Sequence, residues 1–295
     1  MLAQPFRDPG PACIRTGLWI SSCAVRVLLS RAIFRVSAGF LVGVLALLAM
    51  SLYLSEHYTN EYQRLSAAGD VEGAMEKVDL AIRLNPFDAD PLEAQAYLLQ
   101  RLNRYGEAEQ ALREAAEREP QDFVPYLALG NLQMTRLDDP DAAAQSYREA
   151  LERNPKLILG KTSLAQAYMR QGKLGEARKV YEDLRSTHDL TYQGLYDLGR
   201  IYVRSGRPDE GVKTIRVAQR RVDNDLDATE QSGQVKNLRA SMDLAIADAL
   251  VVQGKYERAR RIVSESSAEQ APAILRLLNT DPEKYRESVE SSGVY

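Results

Sequence analysis

The stretch NRYGEAEQALREAAEREP (Asn103–Pro120) decides the fold, because it recurs. GDVEGAMEKVDLAIRLNP (69–86), DDPDAAAQSYREALERNP (138–155) and GKLGEARKVYEDLRSTHD (172–189) superpose on it without gaps. GRPDEGVKTIRVAQRRVD (206–223) and GKYERARRIVSESS (254–267) continue the series. Each copy reads turn, small residue, large residue, small or apolar residue, then a Pro or Asp in the longer copies. The small anchor falls at Ala74, Ala108, Ala143, Ala177, Gly211 and Ala259, with spacings of 34, 35, 34, 34 and 48. Four residues on stand Val78, Leu112, Tyr147, Tyr181, Ile215 and Val263. Three further on stand Ala81, Ala115, Ala150, Leu184, Ala218 and Ser266. Steps of four and three put all three positions on one helical face.

A second helix precedes each of the later five copies. Its small site is Ala96, Gly130, Ala165, Gly199 or Ala247, twelve residues before the anchor, or thirteen for Gly130, whose repeat carries the extra turn residue. Three residues later come Leu99, Gln133, Tyr168, Tyr202 and Leu250. Small residues at two sites per pair let the backbones approach, and the large neighbours fill the grooves. One pair cannot bury its apolar faces alone, so copies stack into a solenoid.

With Leu198-Gly199, Tyr202 and the Ala, aromatic and Pro offsets in place, the chain resembles the tetratricopeptide repeat family. The resemblance covers about residues 55–273 in six repeats. It implies an α-solenoid of about six helix pairs, and with the N-terminal transmembrane helix that the apolar run described below predicts, the chain is expected to be all-α. The expected organisation is a cytoplasmic segment at 1–31, a signal-anchor helix at 32–54, the solenoid at 55–273, and a capping helix with a polar tail at 274–295. Ile274, Leu275, Leu277 and Leu278 mark the capping helix.

Three departures stand out. The first repeat has Tyr62 where a small residue is usual and Glu61 where Leu is usual. It follows the apolar run without a Gly or Pro linker, so the span is expected to run straight into the repeat's first helix. The Asp138-Asp139-Pro140 turn carries one extra residue. About 14 extra residues within 224–240 form either a loop or an extended helix start.

The apolar run itself is VSAGFLVGVLALLAMSLYL (Val36–Leu54), 19 residues without a charge. A helix needs about 20 apolar residues to cross the hydrocarbon core. Every face of the run is apolar and it ends near Tyr53, an interfacial residue type. No clear small-x-small cleavage site follows, which favours an uncleaved signal-anchor over a removed signal peptide. Arg26, Arg31 and Arg35 precede it, so the positive-inside rule places the N-terminus in the cytoplasm and the body in the periplasm or cell exterior. Gly39 and Gly43 form a G-x-x-x-G pair that would admit a second copy as a homodimer.

Composition narrows the chemistry. The 295 residues carry a net charge of −3. Residues 1–54 hold five Arg and one Asp, so the remaining 241 carry −7. An acidic body without a dominant basic face argues against nucleic acid. Cys13 and Cys23 both precede the apolar run, so the body has no cysteine framework or Cys/His metal cluster. The stretch before Cys23 lacks the apolar core of a lipoprotein signal, and Cys23 reads as an ordinary thiol. His57 and His188 stand apart, with no Ser/His/Asp or Cys/His pairing and no dinucleotide fingerprint. No catalytic residue, metal or cofactor is expected. One phosphate-loop look-alike, NPKLILGKTSLAQAY (154–168), has Pro155 where the loop needs Gly. Lys161 and Thr162 instead open the fourth repeat.

What remains is a binding surface. The family resemblance implies a concave groove lined by the first helix of each repeat, open to a protein or peptide partner. Carried onto this chain, its residues are Tyr97, Arg101, Asn131, Met134, Gln166, Met169, Arg170, Tyr196, Arg200 and Arg204. Asn131 and Arg200 match parts of the Asn/Lys/Arg clamp by which some relatives hold a C-terminal carboxylate. Leu127 and Thr162 stand where Lys would help, so the full clamp is absent. A basic set, Arg204, Arg207, Lys213, Arg216, Arg220 and Arg221, is interrupted by Asp209, Glu210 and Asp223. It supports the alternative reading of an accessory protein that binds an anionic polymer or lipid.

Overall fold

The computed structural model describes residues 17–225 and 233–291. Cys13, the middle of the insertion before the sixth repeat and the last four residues lie outside it. So do the side chains of residues 17–34, Cys23, Arg26 and Arg31 among them. Every element in the described residues is helical, and the chain divides into two compact units, residues 1–86 and 87–295.

The first unit holds α1 (Gly17–Ala67) and α2 (Val71–Leu84). As its linker-free sequence anticipates, the apolar run and the first helix of repeat one are a single helix. Within its stretch Arg35–Ala67, an unburied 18-residue window has a mean hydropathy of 2.1, long and apolar enough to cross a membrane. Where α1 becomes amphipathic it packs against α2. Ala74, Val78 and Ala81 are fully buried there. The Ser51 and Ser55 hydroxyls donate to the carbonyls of Leu84 (2.6 Å) and Ala81 (3.2 Å). The first bond occupies a carbonyl that the end of α2 cannot pair internally, and the second adds to the Ala81 carbonyl, which also accepts from the Asn85 N–H.

The second unit stacks five helix pairs. They are α3 (Asp90–Arg101) with α4 (Tyr105–Arg118), α5 (Val124–Thr135) with α6 (Pro140–Arg153), and α7 (Ile158–Arg170) with α8 (Leu174–Ser186). α9 (Tyr192–Arg204) with α10 (Pro208–Asp225) and α11 (Gly233–Val252) with α12 (Tyr256–Glu265) follow. The repeat pattern is the core. Ala108, Ala143, Ala177 and Ala259 are fully buried, as are Leu112, Tyr147, Tyr181, Ile215 and Val263 to within 2 %. Burying one such large side chain stabilises by about 1.5–3 kcal/mol. The pattern lapses at its last position: Ser266 is half-buried and caps the end of α12.

The joints explain the small residues. A Cβ on Gly130 would meet the Tyr147 ring at 2.6 Å, and one on Gly211 would meet the Gly199 carbonyl at 2.8 Å. At α9 and α10 the two backbones are therefore in contact. The turn inside each pair also repeats. Gly69, Asn103, Asp138, Gly172, Gly206 and Gly254 all have positive φ, each five residues before its anchor. The next N–H reaches back to close a Schellman cap, as in Arg104 to the Leu99 carbonyl and Lys173 to the Tyr168 carbonyl. The extra residue of the third repeat shifts this pattern, and Asp139 N–H bonds to Gln133.

Around the insertion, α10 runs to 18 residues and α11 to 20, so both flanking helices are extended. At the C-terminal end, α13 (Ala271–Thr280) contains Ile274, Leu275, Leu277 and Leu278 and buries Leu278. The expected polar tail is a helix instead, α14 (Pro282–Ser291), with Tyr285 and Val289 buried. Its two apolar residues are only four apart, enough for one helical face but too sparse to stand out among the charges.

Candidate groove site

The first helices of repeats three, four and five set the site. Side chains four residues apart project together from a helix. Met134 and Thr135 leave α5 at its last turn, Gln166 and Arg170 leave α7, and Gln193, Asp197 and Arg200 leave α9. With Asp138 from the left-handed turn after α5, these eight residues line a cleft of about 640 Å³. This is the face that the family resemblance assigns to a partner.

Charge is balanced inside the cleft. Arg170 Nη1 donates to the Met134 carbonyl at 2.7 Å and pairs with Asp138 at 3.2 Å. Asp197, only 3 % exposed, accepts from Tyr181 Oη at 3.2 Å and from Gln193 Nε2 at 3.5 Å, and Gln166 also donates to it. Burial pushes its carboxyl above the ordinary range, while Arg200 and these hydrogen bonds pull the other way. The Arg200 guanidinium lies 5.4 Å from the Tyr196 ring centroid. The cleft therefore presents amide groups, a thioether, two guanidiniums and two carboxylates, Asp138 exposed and Asp197 buried. Such a surface suits a polypeptide ligand with polar and carboxylate groups.

Four of the ten predicted residues meet here: Met134, Gln166, Arg170 and Arg200. Tyr97, 56 % exposed, and Arg101 lie on α3, outside the cleft. Asn131 is exposed beside it and accepts from Tyr147 Oη at 2.9 Å. Tyr196 is half-buried and donates to the Ser241 carbonyl at 3.4 Å, and Arg204 lies further along α9 against Asp248 and Val289. Met169 corrects the expectation, since it is 2 % exposed and part of the core. It stands four residues after the fully buried Ala165 and shares that face, whereas Arg170 stands four after Gln166. Thr135, Asp138, Gln193 and Asp197 were missed. The spacing Gln193, Asp197, Arg200 was a legible signal, masked because Asp197 sits between Tyr196 and Leu198 of the packing motif.

The other motifs resolve as packing. Lys161 pairs with Asp183 on α8 at 2.7 Å, and a Cβ on Gly160 would meet Leu157 at 3.0 Å. The basic set is split: Arg204 faces the groove, Arg207 pairs with Glu210, and Arg221 donates to the Leu190 carbonyl. Among the described residues no group of three or more His, Cys, Asp or Glu is placed to hold a metal ion.

These features define a class: a right-register array of helix hairpins with a groove on its first helices. The sequence model of the tetratricopeptide repeat family matches residues 93–158 and 162–225, and that part of the chain is a tetratricopeptide repeat array. Solved structures share the fold at low identity. A tetratricopeptide repeat protein from Parabacteroides merdae is 16 % identical, with 81 % of this chain and 90 % of that one covered at a TM-score of 0.60. PilW, a type IV pilus biogenesis factor, is 16 % identical, with 75 % and 98 % covered at 0.57. MamA from Desulfovibrio magneticus RS-1 is 17 % identical, with 61 % and 98 % covered at 0.52. No curated protein shows a significant match.

Proposed function

We propose that the chain is a membrane-anchored adaptor that holds a protein partner of a cell-envelope complex in the groove of its first helices. The cleft of about 640 Å³, built by three consecutive first helices, carries this reading. Tetratricopeptide repeat proteins are protein-interaction scaffolds, which supports it. The apolar half of α1 serves as an uncleaved signal-anchor through residues 36–54. Arg26, Arg31 and Arg35 keep the N-terminus in the cytoplasm and the repeats in the periplasm or cell exterior. Gly39 and Gly43, exposed and with nothing within 4 Å of a Cβ, offer a second copy a close approach within the bilayer.

The groove is tested by filling it. Thr135 is exposed at the cleft wall, so Thr135→Arg combined with Arg170→Ala changes the cleft without touching the core. The unaltered chain, purified from native membranes, is expected to retain a protein that the double variant loses at an unchanged melting temperature. Equal retention would contradict the reading. Binding that instead collapses between low and moderate salt would assign the function to an anionic polymer on the basic set.

A further inference from the structure

α14 covers part of the groove face. Tyr285 Oη donates to Asp248 Oδ1 on α11 at 2.7 Å. Val289, one turn on, lines a small pocket with Arg200, Val203 and Arg204 of α9 and Ala245 and Asp248 of α11. Arg200 lines the open cleft as well, so the cleft and the seat of α14 are continuous along the first helices. The last turn of α14 is the negative pole of that helix, and it lies beside two guanidiniums. Burial holds Asp248 above the ordinary carboxyl range, opposed by Tyr285, Arg204 and Arg200.

The hold of α14 is slight. It has ten residues, and helices of that length are marginal in water. Only Tyr285 and Val289 are buried, while Lys284, Glu287 and Glu290 face solvent and exposed Glu283 accepts one hydrogen bond from Tyr256 Oη of α12 at 2.5 Å. The helix persists because it is docked, much as an amphipathic peptide helix docks its i and i+4 anchors in a groove.

We propose that α14 is a displaceable self-ligand, and that the α9–α11 face beneath it docks an amphipathic helix of a partner protein. That helix carries an aromatic and an aliphatic anchor four residues apart and turns its C-terminal end to Arg200 and Arg204. The proposal rests on the groove reading above and names the ligand for the groove's C-terminal half. A partner that enters the cleft and extends one repeat onward meets α14 and must replace it.

The probe is a fluorescein-labelled peptide of residues 281–291, titrated into the full chain and into its Tyr285→Ala/Val289→Ala variant. The variant is expected to bind about tenfold or more tightly than the unaltered chain, whose seat is free only in a minor state. Arg204→Glu in the variant background should remove that binding. Equal binding to both chains, or none to a variant that still melts cooperatively, would overturn the proposal. Hydrogen exchange on the unaltered chain covers the case of a variant that fails to fold. The amides of α14 are expected to exchange faster than those of α11 and α12, and equal protection would overturn displaceability. A concentration-dependent dimer abolished by the double variant would give the seat to a second copy and overturn the partner-helix assignment. Loss of peptide binding with partner capture at the cleft intact would defeat this inference alone. The reverse result would defeat the groove reading instead.

Discussion

Gly199 and Gly211 are where one methyl group matters most. A Cβ on either lands on a neighbour across the α9–α10 joint, Ile215 in one case and Val203 in the other. Gly199→Ala should cost about 1–3 kcal/mol by overpacking, and so should Ala108→Leu at the fully buried anchor of the second repeat. Thermal melts of the two variants check this. Glu93 makes a second prediction. Burial, then Asp90, Asp122 and Glu119, raise its carboxyl from 4.5 to about 7. The folded state thus binds this proton more tightly than the unfolded state, and stability falls as pH rises from 4.5 through about 7. Glu93→Gln should therefore melt about 2–4 °C higher near pH 8 and show no gain near pH 4, the shift being kept modest because the side chain is partly exposed. Single residues were legible in sequence where packing set them. Ala108 and Tyr181 follow from period alone, but Met169 looked like a groove residue because helical spacing cannot say which of two adjacent faces a neighbouring helix covers.

At the level of elements, the left-handed turns carry the register. Gly172 has φ +74°, which costs a side chain about 1 kcal/mol. Gly175, three residues on within α8, has open space around it. Gly172→Ala should lower the melting temperature, while Gly175→Ala should raise it through better helix propensity, by about 0.5–1 kcal/mol. Equal effects would refute the turn assignment. The turns, the pairs and the continuous α1 could all be read from Gly, Ala and Pro spacing. α14 could not. Its two anchors are spaced for a helix, but what buries them is Asp248 and Val203, more than thirty residues away in sequence. The cleft was half legible for a related reason. Met134, Gln166, Arg170 and Arg200 follow from family offsets, whereas Asp138 joins only because its turn projects it against Arg170.

Over the whole molecule, the chain divides into two compact units. The first unit holds the one helix among the described residues with the length and hydropathy of a membrane span. If α1 anchors the chain, carbonate washing should leave the protein in the membrane and detergent should release it. Recovery in the carbonate wash would make the helix a soluble or removed segment. The second unit is a stack in which each pair contacts its neighbours, so substitutions in distant repeats should add. The cleft across α5, α7 and α9 is the proposed seat of a protein partner. Site-specific photo-crosslinking in native membranes would detect it, with the reactive group at Gln166 in the cleft and a control at exposed Lys179 on α8. A discrete protein adduct at Gln166 and none at Lys179 is the predicted result. An adduct at Lys179 with none at Gln166, or lipid adducts alone, would contradict it.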